Sequence, residues 1–182
     1  KRFEDQEVLK GITATFENGK TNLIIGKSGA GKTVLLKCIV GLEIPEEGTI
    51  TYDGRDIIHM HKKESAKMRQ EIGMLFQSAA LFDSMSVLEN VMFPLDMFSN
   101  MTYKERLVRA RACLDRVNLI EAQDKSPEEL SGGMAKRVSL ARAIAYNPDI
   151  LLLDEPFSAL DVQTREEVMR KTRQLLAAKT VI

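Results

Sequence analysis

The sequence predicts an α/β fold: a parallel sheet core, an N-terminal antiparallel β part and an inserted helical subdomain. Two runs carry the core. TNLIIG from Thr21 and DILLLDEP from Asp149 read as buried strands, each followed by a helical run, and strand–helix–strand at this spacing implies parallel pairing. Between them, from Ser78 to Glu129, the apolar spacing is helical and no strand pattern occurs.

The elements follow in order. Val8 to Phe16 roughly alternate apolar with small or polar residues, so strand is expected there, with ENGK as the turn before TNLIIG. GKSGAGKT opens onto the helical run TVLLKCIVGL, which ends at Gly41 and the EIPEEG break. TITYDGRDI carries β-branched alternation around Asp53-Gly54, a dipeptide favoured in tight hairpins. HMHKKESAKMRQEI reads as a polar helix and IGMLF as a further buried strand. SVLE and TYKE each place Ser or Thr three residues ahead of Glu, the capping-box signature of a helix start. SPEE precedes LSGGMAKR, whose continuation reads as a helix closed before Pro148. After DILLLDEP, VQTREEVMRKTRQLLAAK is a final helix and TVI begins another strand. The expectation is one lobed domain over residues 1–182, with 1–77 and 136–182 as β core and 78–135 as helical subdomain. The chain is expected to be trimmed at both ends.

Composition narrows the function classes. Lys plus Arg and Asp plus Glu number 26 each, so no overall field points to nucleic acid or anionic lipid. Cys38 and Cys113 lack CxxC spacing and read as buried thiols in a reducing compartment. The longest uncharged stretch, Ile72 to Phe82, falls short of the roughly 20 apolar residues that a bilayer span requires. His59 and His61 read as decoration of a solvated loop. The methionines from Met85 to Met101 read as core filling, or else as a soft groove for a partner helix. The basic run YKERLVRARACLDR reads as a solvated helix face with Glu105 paired to Arg109.

Residues 26 to 33, GKSGAGKT, satisfy G-x-x-x-x-G-K-[ST] between an apolar strand and a helix. Gly26, Gly29 and Gly31, with Lys27, Ser28 and Ala30 between them, let backbone N–H groups converge on phosphates at a helix N-terminus. Lys32 adds charge toward the β and γ phosphates, and Thr33 offers a hydroxyl to Mg²⁺. Asp154 is placed to hold the metal through a water, and Glu155 to orient the attacking water. The implied chemistry is in-line attack on the γ-phosphoryl group of ATP.

A second anion site begins at Ser131, Gly132 and Gly133, whose N–H groups open a helix. GKSGAGKT already surrounds its own nucleotide, so the simplest use of this turn is the ATP of a second copy. That predicts a two-fold dimer with two nucleotides between the chains.

LSGGMAKR resembles the signature of ABC-type ATPases, and the family's other motifs stand in order around it over nearly the whole chain. The resemblance implies a P-loop NTPase fold with a RecA-like core, of ABC ATPase type. It identifies Gln77 with the Q-loop, which contacts the metal and γ-phosphate, and SALD at 158–161 with the D-loop, Asp161 facing the dimer interface. Phe3 looks like the aromatic that stacks on adenine. Met134 and FQSAALF are similar to ATPases of the Mla and Mce-associated phospholipid-transport systems. That branch implies a peripheral subunit on the cytoplasmic face of the bacterial inner membrane. Its partners would be an integral-membrane permease and an Mce-domain lipid-binding protein, with no nucleic acid. An importer subunit for amino acids, ions or another small solute is the alternative. Soluble ABC ATPases acting on DNA or ribosomes, and small-molecule kinases or GTPases, fit less well: there is no coiled-coil insertion, tandem cassette or guanine motif, and LSGG would be unexplained. The family's switch histidine belongs beyond the strand that TVI begins, so weak hydrolysis by these 182 residues is expected.

Overall fold

The computed structural model describes residues 1–4, 6–158, 160–176 and 179–182, with side chains for all of these but Gln174 and Leu175. Strands β5 (Ile72–Leu75), β6 (Ile150–Leu153) and β7 (Thr180–Val181) form a parallel sheet in the order β5-β6-β7. In register, Leu75 lies opposite Leu153 and Leu151 opposite Val181. Parallel pairing buries a strand on both faces, which is why β6 is a continuous run of aliphatic residues.

The antiparallel part consists of two short hairpins. Strand β1 (Arg2–Phe3) pairs with β2 (Gln6–Glu7), and β3 (Thr51–Tyr52) pairs with β4 (Arg55–Asp56). Between β3 and β4, Asp53 and Gly54 take φ of 48° and 75°. Both central residues are left-handed, as a two-residue type I′ turn requires. The strand expected over Val8 to Phe16 does not form, because the N-terminal hairpin is complete at Glu7.

TNLIIG also departs from expectation. Thr21 makes a single parallel bridge to Val181, and Leu23 and Ile25 are 80% and 85% exposed. Strand pairing needs a partner backbone, and of this run only Thr21 is bridged. Apolar sequence alone cannot bury the run.

The helices match the cap signals closely. Helix α1 (Lys32–Ile39) follows the glycine loop, and α2 (Lys62–Gln70) leads into β5. Helix α3 (Val87–Phe98) is capped by Ser86 and Glu89, and α4 (Tyr103–Arg116) by Thr102 and Glu105. Each box satisfies free N–H groups from both ends of the motif. Short 3₁₀ turns at Ile120–Ala122 and Pro127–Glu129 precede α5 (Gly132–Ala145), and α6 (Val162–Leu176) follows β6. Ala177 and Ala178 of the expected final helix lie outside the described residues.

Helix α5 runs through position 135/136, where the sequence places a subdomain boundary, and packs against α3, α4 and β5. One core therefore joins Val87, Val91 and Leu95 of α3 and Leu114 of α4 to Leu140 of α5 and Leu151 of β6. A second cluster, with Leu36, Val40, Ile150 and Leu152, seats α1 on the sheet. Cys38 and Cys113 are free and buried, and burial raises both thiol pKa values. Of the methionines between 85 and 101, Met92 fills the core, whereas Met97 and Met101 are exposed. Arg109 does not pair with Glu105. The Glu105 carboxylate is engaged at its own helix start, and Arg109 donates from Nε to Ala145 O (2.9 Å), closing the C-terminus of α5.

Candidate functional site at the sheet edge

The phosphate-type loop is built by two left-handed glycines. Gly29 has φ 78° and Gly31 has φ 91°, whereas Gly26 does not take a left-handed conformation. Gly31 is fixed for a second reason: a Cβ there would lie 2.9 Å from Val8 Cγ1 and 3.0 Å from Leu9 Cδ2. Val8 and Leu9, just past the N-terminal hairpin, thus pack directly on the loop. Phe3 is 40% exposed, with Lys1 Nζ 5.0 Å from its ring centroid.

Lys32, the first residue of α1, folds back over the loop and donates to Gly26 O (3.0 Å) and Lys27 O (3.2 Å). Its neighbour Thr33 donates from Oγ1 to Asp154 Oδ2 at 2.7 Å. Asp154 follows β6 directly and is 3% exposed, with its N–H donating to Leu75 O (3.0 Å). The hydrogen bond joins residues 121 positions apart and ties the helix after the loop to the sheet edge.

Gln77 and Glu155 stand in matching places. Leu75 and Leu153 are register partners, so each side chain lies two residues beyond the paired end of neighbouring strands. Both are exposed. Lys32, Thr33, Gln77, Asp154 and Glu155 thus gather at the C-terminal edge of one parallel sheet, where open α/β folds bind ligands.

The Ser131–Gly133 turn, read from the sequence as a second anion site, makes its own contacts. Ser131 caps α5, its Oγ accepting from Met134 N at 3.3 Å, and Gly132 is exposed. Among the described residues no hydrogen bond joins the Ser131–Gly133 turn to the Gly26–Thr33 loop. Asp161 acts as the N-cap of α6, its Oδ1 accepting from Thr164 N at 2.9 Å, and these bonds hold its pKa below the ordinary value. Ala159 of the SALD stretch lies outside the described residues.

His59 and His61 are exposed but engaged. His59 Nδ1 lies 2.7 Å from Asp56 Oδ2, and the His61 N–H donates to Glu64 Oε2 at the start of α2.

Two residues in the site's support escape the sequence reading. Arg142, in the last turns of α5, donates to Ala80 O (2.8 Å) and Ala79 O (3.0 Å) in the loop after Gln77, where Ala80 has φ 47°. Asn90 is fully buried; its side chain accepts from Phe82 N and donates to the carbonyls of Phe82, Met85 and Ser86. An arginine in the otherwise apolar SLARAIA and an asparagine between apolar residues of α3 were the available signals.

A glycine loop closing onto a helix beside a buried strand-end carboxylate defines the P-loop NTPase fold. Known proteins narrow it further. The family described as ABC transporter matches residues 9–158. The methionine import ATP-binding protein MetN of Corynebacterium efficiens is 42% identical over 167 residues, covering 92% of this chain and 46% of that protein. The intermembrane phospholipid transport system ATP-binding protein MlaF of Haemophilus influenzae is 43% identical over 159 residues, covering 86% of this chain and 60% of that protein. The chain spans about half the length of these curated relatives. The dimeric structure of a bacterial ABC transporter cassette superposes with a TM-score of 0.88 at 36% identity, covering 96% of this chain and 78% of that one. A post-hydrolysis state of the same cassette, bound to ADP and Pi, gives the same values. The chain belongs to the ABC transporter family. Within it the phospholipid branch is not singled out, since the methionine-import relative is equally similar.

Proposed function

We propose that this chain is the ATP-binding and ATP-hydrolysing domain of an ABC transporter that moves phospholipid in a bacterial envelope through a separate permease. The observation that carries the ATPase reading is the 2.7 Å hydrogen bond between Thr33 and the buried Asp154. Among the described residues Asp154 has no cationic partner, so a buried carboxylate stands beside a hydroxyl with its charge uncompensated. That donor set fits Mg²⁺, which takes hard oxygens from one or two side chains and the rest from phosphates and water. When bound, the ion would neutralise charge developing on the phosphoryl oxygens.

The chain's own groups supply the remainder. The N–H groups after Gly29 and the Lys32 ammonium bind and orient phosphate, Lys32 giving up two carbonyl contacts for stronger charged ones. Glu155 and Gln77 orient the attacking water from adjacent strand ends. The Ser131–Gly133 turn serves the nucleotide of the partner copy, with Asp161 at the interface and Phe3 beside the adenine. Glu155→Gln tests this directly: turnover should fall by about 10²–10⁴-fold and an ATP-bound dimer should accumulate. Full activity of that variant would refute the assignment.

For docking on a permease the supporting feature is a groove of about 400 Å³ lined by Phe76, Phe82, Phe93, Pro94, Phe98 and Arg142. It lies between the loop after Gln77 and the helices, so a helix seated there would touch the site's own support. Among the described residues no helix is long and apolar enough to cross a membrane. The phospholipid substrate, the Mce-domain partner and the cytoplasmic face of the inner membrane rest on Met134 and FQSAALF. Similarity to the methionine-import protein favours a second reading, amino acid import. The native protein pulled down from solubilised membranes decides between them. A permease retained with an Mce-domain protein and phospholipid supports the first; a permease with a solute-binding protein and no lipid overturns it.

A further inference from the structure

Glu155 occupies a left-handed backbone conformation, φ 50°, which a residue with a Cβ adopts only at a cost. Such a conformation persists only where neighbouring groups hold it. Here the Glu155 carbonyl accepts from Ser158 Oγ (3.1 Å), Ser158 N (3.3 Å) and Lys136 Nζ (3.2 Å). The first two are local to the turn. The third comes from α5, and the same ammonium also donates to Ser158 Oγ.

A lysine on a helix face ordinarily keeps its head in water, and a single exposed contact contributes little. Lys136 differs in spending its donors on both polar groups that shape one strained turn. It also stands five residues beyond Ser131, on the same rigid helix as the Ser131–Gly133 turn.

We propose that Lys136 is a positioning residue for hydrolysis, its ammonium bracing the left-handed turn at Glu155 and Ser158 against the signature helix. A displacement of the α5 N-terminus, where the partner copy's nucleotide would sit, is thereby passed to the backbone that carries Glu155. Occupancy of one nucleotide site then bears on water orientation in the other. The inference rests on reading Glu155 as the group that orients water.

The test compares wild type, Lys136→Met, Lys136→Arg and Glu155→Gln by amide hydrogen exchange and by MgATP turnover. Lys136→Met should speed exchange at the Ser158 and Leu160 amides by about tenfold and lower kcat by about tenfold, the worth of one charged hydrogen bond. KM should stay within about twofold, since the ammonium is engaged by Glu155 O and Ser158 Oγ and not by the Gly26–Thr33 loop. The melting temperature should fall by no more than about 3–6 °C, the worth of that one bond, and Lys136→Arg should restore most of the exchange and kcat effects. Exchange at Ser158 and Leu160 within about twofold of wild type in Lys136→Met overturns the brace, whatever the turnover. Faster exchange with unchanged kcat overturns the positioning role. If Lys136→Met loses kcat and KM together and its melting temperature drops by well over about 6 °C, its role is structural and the proposal falls. If Glu155→Gln turns over like wild type, the reading of Glu155 fails and takes the positioning role with it, while the exchange data still decide the brace.

Discussion

Gly73 offers the sharpest test of how the site is held. It is buried in β5, opposite Leu151, and its backbone is not left-handed, so alanine adds only volume. A Cβ there would lie 2.5 Å from Ala143 O, 2.8 Å from Pro148 Cγ and 2.9 Å from Leu151 Cδ2. Leu151 can change rotamer; a main-chain carbonyl in the last turn of α5 and a proline ring cannot. Restoring ordinary contact requires α5 and β5 to separate by roughly 0.8 Å, and forced overpacking of this kind costs about 1–3 kcal/mol. The rigid obstacles favour the upper part of that range, and the lower entropy of the unfolded alanine chain returns about 0.5–1 kcal/mol. A net loss of about 2 kcal/mol lowers the melting temperature of a domain this size by about 4–8 °C. Circular-dichroism melts of wild type and Gly73→Ala measure it. Leu151→Ala in the Gly73→Ala background should not rescue, because the carbonyl contact remains. A melt within about 1 °C of wild type would show that α5 is not pinned to β5 as described.

Three further effects follow from the same structure. Ser86→Ala removes the α3 cap, whose Oγ accepts from Glu89 N (3.2 Å), and should destabilise by about 1 kcal/mol in urea denaturation with an unchanged m-value. Asn90→Leu removes the partner of four backbone groups of the Phe82–Ser86 loop, and should cost more than about 2 kcal/mol by the same assay while loosening Phe82 in the docking groove. Arg55 bonds to Glu71 at 2.7 Å and holds its carboxyl below the ordinary value of 4.5. A depressed carboxyl pKa means stability present above that value and lost as pH falls through the folded pKa. Both groups are about a third or more exposed, so the contribution is under about 1 kcal/mol, and Glu71→Gln should flatten the acid limb of a melting-temperature profile by no more than that.

The sequence by itself determined the local parts. Helix starts were legible at Ser86 and Thr102, since a capping box is a contact between residues three apart. The Asp53-Gly54 turn was legible for the same reason, as was the glycine loop, whose geometry is a property of eight consecutive residues. Lys32, Thr33, Asp154 and Glu155 were named because each stands at a fixed offset from such a motif. Only the tertiary structure decided what depends on distant partners. TNLIIG is apolar enough for a strand, yet Leu23 and Ile25 are exposed because pairing is a property of two segments. Arg109 has a suitable Glu105 one turn away and goes instead to the carbonyl end of α5, where unsatisfied acceptors hold it more strongly than a surface ion pair. Gly73, Asn90, Arg142 and Lys136 shape the site through hydrogen bonds spanning up to 63 positions or through backbone that lies against them. Short-range chemistry is written in residue spacing; long-range contact is settled only when the core closes and each buried polar group must find the partner that packing leaves within reach.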